Sequence, residues 1–349
     1  YNVVVGDEAG TAITTGDGNT SLGFEALMTA TTASNNTAIG LSALRLNTSG
    51  AQNTAVGRFS ADALTEGNAN VALGNAAISL DTKGSRTTAV GNAALGNQNF
   101  TSATDTYNTA VGYNAGHQVT TGTSNTLIGG LAGDAQTTAS NNTAVGYASL
   151  GTNTTGAGNV AVGRESLFNN TTASNNTAVG LNSLYTNTTG ANNVAVGKSA
   201  LLANTTADNN TAVGHNALNV NTTGTRNSAM GSNALDANTE GNYNSAFGYN
   251  SLGANTTGTH NTALGDFSQA ANTTGTKNVS VGQGSFITNT TGDNNTVVGT
   301  EAMTANTTAS NNTAVGHQAL YANTTGSSNV AVGSAAGDAI TTGNTNVAI

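Results

Sequence analysis

The chain has 349 residues, of which only 7% are charged and 4% aromatic, with 45 Gly and no Pro, Cys or Trp. A net charge of -9 with eight basic residues excludes the electropositive surface that nucleic acid or anionic membrane would require, and the lack of Cys excludes disulfides and thiolate metal sites. Because 36% of the residues are hydrophobic and set at fixed intervals, the composition is that of a repetitive fibre, not of a disordered tract.

Read in chain order, the sequence is one motif repeated. The glycine of a tetrad typified by TAVG recurs from Gly6, Gly23 and Gly40 to Gly316 and Gly333; every step is 17 residues except that from Gly91 to Gly112, which is 21. A short fixed period over residues 1–349 predicts a single repeat array, a solenoid whose turns contact only their neighbours. With the glycine numbered 5, the unit reads N, T/V, A, V, G, x, x, A/S, L, x, x, N, T, T, G, x, x. Apolar residues never recur at helical spacing and β-branched residues dominate, so the expected fold is all-β: a parallel β-solenoid of 17-residue coils. About twenty coils stacked at about 4.8 Å would make a rod on the order of 95 Å long.

Within each coil the positions divide by chemistry. Asn holds position 1 in 20 of 21 copies, among them Asn36, Asn142, Asn176 and Asn312, and identical amides on successive coils can hydrogen-bond as a ladder. Positions 2 to 4 read as a strand. Position 4 is apolar in all 21 copies and is expected to face the coil interior with position 2, turning position 3 the other way. Position 3 is Ala in 16 of 21 copies and never charged; Ala38, Ala144, Ala178 and Ala314 are therefore expected to pack against other subunits, tight turn geometry being the other explanation. The glycine at position 5 suits a corner. Positions 9 and 12 exchange volume, large residues at 9 accompanying a polar residue, usually Asn, at 12 and Gly10, Gly116 and Gly337 accompanying Ile13, Val119 and Ile340; Gly133 with Gln136 breaks the pattern. All 25 charged residues lie outside positions 1 to 5, 8 and 9, which marks positions 6, 7, 10, 16 and 17 as exposed turns.

The units NNTAVGYASL, NVAVGKSALL and NNTAVGHQAL resemble the head repeats of trimeric autotransporter adhesins of the YadA type, and more closely the NTAVGxxAL..NTTG arrays of bacteriophage tail-fibre and related virion proteins. The resemblance covers the whole chain. It implies a left-handed β-roll in a homotrimeric bundle, with the alanine-bearing strand towards the threefold axis. The repeat is longer than in a typical adhesin head, and neither a neck motif nor an anchor barrel is seen.

A search for reaction chemistry gives little. His215 and His317 share position 6 but lie six coils apart, about 29 Å, too far for one metal ion. Asp62 and Asp81, at positions 10 and 12 of successive coils, come nearest to paired carboxylates, and solvated turn charges explain them better. No catalytic residue, metal site or cofactor is expected, and the chain reads as a non-enzyme. Three features are candidates for contact with a partner. The four-residue insertion within 96–108 is expected to bulge outwards, carrying Phe100 and Tyr107. Tyr113, Tyr147 and Tyr249 recur at position 6, where rings can stack on sugars. The NTT turns create glycosylation sequons, as at Asn153, Asn187 and Asn323.

The expected function is a structural and adhesive extracellular fibre, displayed on a cell surface or virion, that associates with itself and attaches to a host receptor or glycan without inserting in a membrane. Two alternatives are an ice-binding solenoid, using the row from Thr14 to Thr341 at position 13, and a filament that polymerises end to end.

Overall fold

The computed structural model describes all 349 residues and contains no helix. It is a parallel β-solenoid of about twenty turns with 17-residue coils, divided into two compact units, Tyr1–Asn176 and Thr177–Ile349. Each unit is built from the same coil, and each coil donates one short strand to the main sheet, such as Thr143–Val145 or Val194–Val196. Register follows the period without a slip: Thr143, Ala144 and Val145 pair with Val160, Ala161 and Val162, and Val194, Ala195 and Val196 with Thr211, Ala212 and Val213.

Hydrogen bonds run almost entirely from coil to coil, as a parallel ladder requires. Around one coil, Thr143 N–H donates to Asn159 O at 2.8 Å, Leu150 N–H to Ser166 O at 3.0 Å and Thr154 N–H to Thr171 O at 2.8 Å. The corner after each strand is the position-5 glycine, whose φ lies near 133° at Gly146 and Gly180. A Cβ at Gly180 would stand 2.6 Å from the carbonyl oxygen of Gly197, so both the dihedral and the stacking distance demand glycine there.

Positions 7, 9 and 17 sit in the left-handed region without glycine in most coils, for example Ala148, Leu150 and Asn141 at φ 51°, 54° and 62°. Such a conformation costs an L-residue roughly 1–2 kcal/mol, and it is held because the residue on the next coil adopts the same one and completes the hydrogen bonds.

The strand faces are the reverse of the expectation. Position 3 points into the coil: Ala38, Ala144, Ala178 and Ala314 are completely buried within their own chain and cannot touch a sister subunit. Position 4 points outwards with position 2, leaving Leu22, Val56, Ile128, Met230 and Leu264 exposed. The reason is volume. Most coils already house a large side chain at position 9 and Asn at positions 1 and 12, so the inward strand position has space only for a small side chain. Where position 9 is glycine, the space reopens: Leu127, which replaces Ala at position 3, puts its Cδ1 2.6 Å from where a Cβ of Gly116 would stand and its Cδ2 2.8 Å from that of Gly133. Gly133, the exception in the sequence pattern, is therefore compensated by Leu127 together with Gln136.

Two buried amide ladders line this interior. At position 1 the side-chain oxygen of one Asn accepts the backbone N–H of the next, as from Asn36 to Asn19 (3.0 Å), Asn142 to Asn125 (3.0 Å), Asn176 to Asn159 (3.0 Å) and Asn312 to Asn295 (3.0 Å). At position 12 the amides bond one another: Asn238 Nδ2 donates to Asn221 Oδ1 at 2.7 Å and Asn255 Nδ2 to Asn238 Oδ1 at 2.8 Å. Both ladders satisfy polar groups that would be costly to bury alone.

Candidate functional site

Alternation along three residues places positions 2 and 4 of every coil on one outer face. That face carries Thr or Val, with Ser at 228 and 245, beside Val, Leu, Ile, Met or Phe, and no charge. Leu22, Met230 and Leu264 are 46%, 44% and 49% exposed. A three-residue strand is about 10 Å long and ten coils rise about 48 Å, so each unit bears an uncharged strip on the order of 500 Å². That is the size of the largest apolar patch on an ordinary monomer.

Beyond the glycine corner lie the exposed side chains of position 6 and the mostly half-buried ones of positions 7, 10 and 11. Tyr113, Tyr147 and Tyr249 at position 6 are all solvent-exposed, each on a separate part of the chain; Tyr249 meets Phe267 edge-on with ring centroids 5.2 Å apart. A second row runs along position 17, where Tyr243 stacks on His260 at 4.8 Å and the Arg226 guanidinium lies 5.2 Å from the Tyr243 ring centre.

The insertion bulges only over residues 101–103, which are exposed between the Lys83 N–H to Phe100 O bond and the next paired segment. Thr104–Asp105 pairs in parallel with Gly84–Ser85, and Phe100 is turned inwards, only 6% exposed, so it is no surface contact. The Phe100 N–H donates to Asp81 Oδ1 at 3.0 Å, and Gln98 Nε2 donates to Asp81 Oδ2 at 2.6 Å and to Thr87 Oγ1 at 3.0 Å. This buried network carries the ladder past Thr87, the one position-1 residue that is not Asn. Tyr107 remains 58% exposed beneath the Arg86 guanidinium, which pairs with Asp105. Phe100, the one large apolar side chain among residues 96–106, was the available sign that this segment has an inside.

Several sequence candidates separate in space. Asp81 is completely buried and Asp62 lies on the outer wall, so the two carboxylates do not form a pair. Asn153, Asn187 and Asn323 are 0% exposed, and Asn153 Nδ2 donates to Gly156 O at 2.9 Å; these sequons are closed to a glycosyltransferase in the folded chain. The position-13 threonines spend their hydroxyl protons on the next coil, as from Thr256 Oγ1 to Thr273 O at 3.1 Å. Position 14 faces solvent, with Glu66 and Glu240 interrupting its threonines. Neither row is the flat, uncharged hydroxyl array that ordering water requires.

Position 10, expected to be an exposed turn, is mostly half-buried instead. Asp62, Asp134 and Asp236 stand there half-buried against the wall, and desolvation pushes all three carboxyls above the ordinary carboxylate range, opposed by backbone N–H donors. Asp62 Oδ1 is buried without a hydrogen-bond partner. No three His, Asp or Glu residues converge as a metal-ligand set.

Comparison with protein-family models and with curated protein sequences returns no match.

Proposed function

We propose that the chain is a non-enzymatic structural and adhesive protein of an extracellular fibre, displayed on a cell surface or a virion, and that it associates with further copies of itself through the outer strand face. The observation that carries this reading is the unbroken absence of charge from positions 1 to 5 in every coil, next to outward apolar side chains at position 4. A solvated strand face of this length would be expected to collect Lys, Glu or Gln.

A second copy of the same chain is the occupant that best fits. Its face repeats at the same spacing, so one favourable pairing recurs at every coil. The resemblance in sequence implies three chains; the valine-bearing face, not the alanine-bearing one, would line their axis. Attachment to a host receptor or glycan belongs to the turns outside this face.

Light scattering of the 34.2 kDa chain tests the reading. The expected result is a mass three times that of one chain, reduced to one by Met230→Lys combined with Leu264→Lys. A stable monomer of the unaltered chain would overturn it.

A further inference from the structure

The wall beyond the glycine corner holds a cavity of about 420 Å³, lined by Leu131, Asp134, Tyr147, Gly151, Glu165 and Phe168 among others and contained within the first unit. Its origin is legible residue by residue. Asp134, Gly151 and Phe168 are position 10 of three successive coils, and the middle one has no side chain. The Phe168 ring leans into the gap, its Cε2 2.7 Å from where a Cβ of Gly151 would be. Tyr147 leans over Gly130 in the same way, the ring 3.8 Å from the corresponding point. Two aromatic rings and Leu131 thus surround a hollow into which two carboxylates open.

One carboxylate has no cationic hydrogen-bond partner. Glu165 is bonded by Arg164 Nη2 at 3.2 Å, whereas Asp134 is met by backbone N–H groups, its own and that of Ala135, with His117 nearby, and burial disfavours its charge. A cation entering the hollow would meet the rings of Tyr147 and Phe168 and relieve the desolvated Asp134. A neutral ligand would gain only the apolar contacts, and an anion would be repelled.

The geometry points to a binding site for an organic ammonium group with apolar substituents, held by Tyr147 and Phe168 and neutralised by Asp134. It gives a ligand class to the adhesive part of the function proposed above and is independent of self-association, because no residue of positions 1 to 4 lines the cavity.

Choline and its neutral isostere 3,3-dimethylbutan-1-ol, titrated calorimetrically into the full chain, test the assignment. Choline is expected to bind saturably and the alcohol not to bind. Asp134→Asn is expected to weaken choline about tenfold or more. Gly151→Tyr is expected to abolish binding by filling the gap, while leaving the circular dichroism unchanged, since Tyr185 and Tyr321 occupy position 10 elsewhere. No saturable binding of choline, equal binding of the alcohol, or full binding by Gly151→Tyr would each overturn the site. A monomeric chain that still binds choline would count against self-association alone.

Discussion

Asn244 shows how much one side chain does in this coil. Its backbone N–H donates to Asn227 Oδ1 at 2.9 Å, its amide Nδ2 donates to Gly258 O at 2.8 Å, and its own Oδ1 accepts the N–H of Asn261 at 3.0 Å. Asn244→Ala leaves a buried donor and a buried acceptor unpaired and is expected to cost about 2–4 kcal/mol in chemical denaturation. The aspartates at position 10 work in the opposite direction. Burial raises the Asp236 carboxyl above its unfolded value of 3.8, so the native state holds the proton more tightly and this group destabilises the fold once pH exceeds that value. Asp236→Asn is therefore expected to raise the denaturation midpoint at pH 7, with the gain shrinking as pH falls towards 4. A gain that grows on acidification would contradict the assigned cause.

At the scale of the coil, the exchange between positions 9 and 12 makes a quantitative prediction. Leu218 is fully buried and Asn221 belongs to the position-12 ladder. Leu218→Gly combined with Asn221→Ile is expected to cost less than the two changes summed, by about 1 kcal/mol or more, in a double-mutant cycle. Additive costs would show that the two positions do not share a volume. This exchange, the strand at positions 2 to 4, the position-1 ladder and the glycine corner could all be read from the sequence, because each leaves its mark on every copy. The orientation of the strand could not. Position 4 reads as the interior position because it is apolar in every copy, but the interior of most coils is already filled by Leu and Asn, and the constancy of the alanines records confinement within one chain. Leu127 was the sequence sign of this: a large residue at position 3 where the neighbouring position 9 is Gly116 or Gly133. Position 10 was illegible for another reason. Its character varies from Asp to Gly to Phe, and only stacking shows that a gap in one coil becomes a hollow bounded by the next.

At the scale of the molecule, each coil sees only coils like itself, so whole periods should be removable. Deleting residues 244–260, one complete unit within Thr177–Ile349, joins position 17 to position 1 and restores every ladder; the product is expected to fold with a melting temperature close to that of the parent. Deleting residues 245–260, one fewer, doubles position 1 and displaces the strand from its corner, and is expected to lower the melting temperature sharply. Equal melting of the two products would show that the 17-residue register is not enforced. The in-register pairing described for the strands has a consequence at the level of the gene. Because a shift by one full period regenerates the same contacts, unequal recombination between near-identical DNA segments can lengthen or shorten the array without first breaking the protein, and copy number becomes a trait on which selection can act directly.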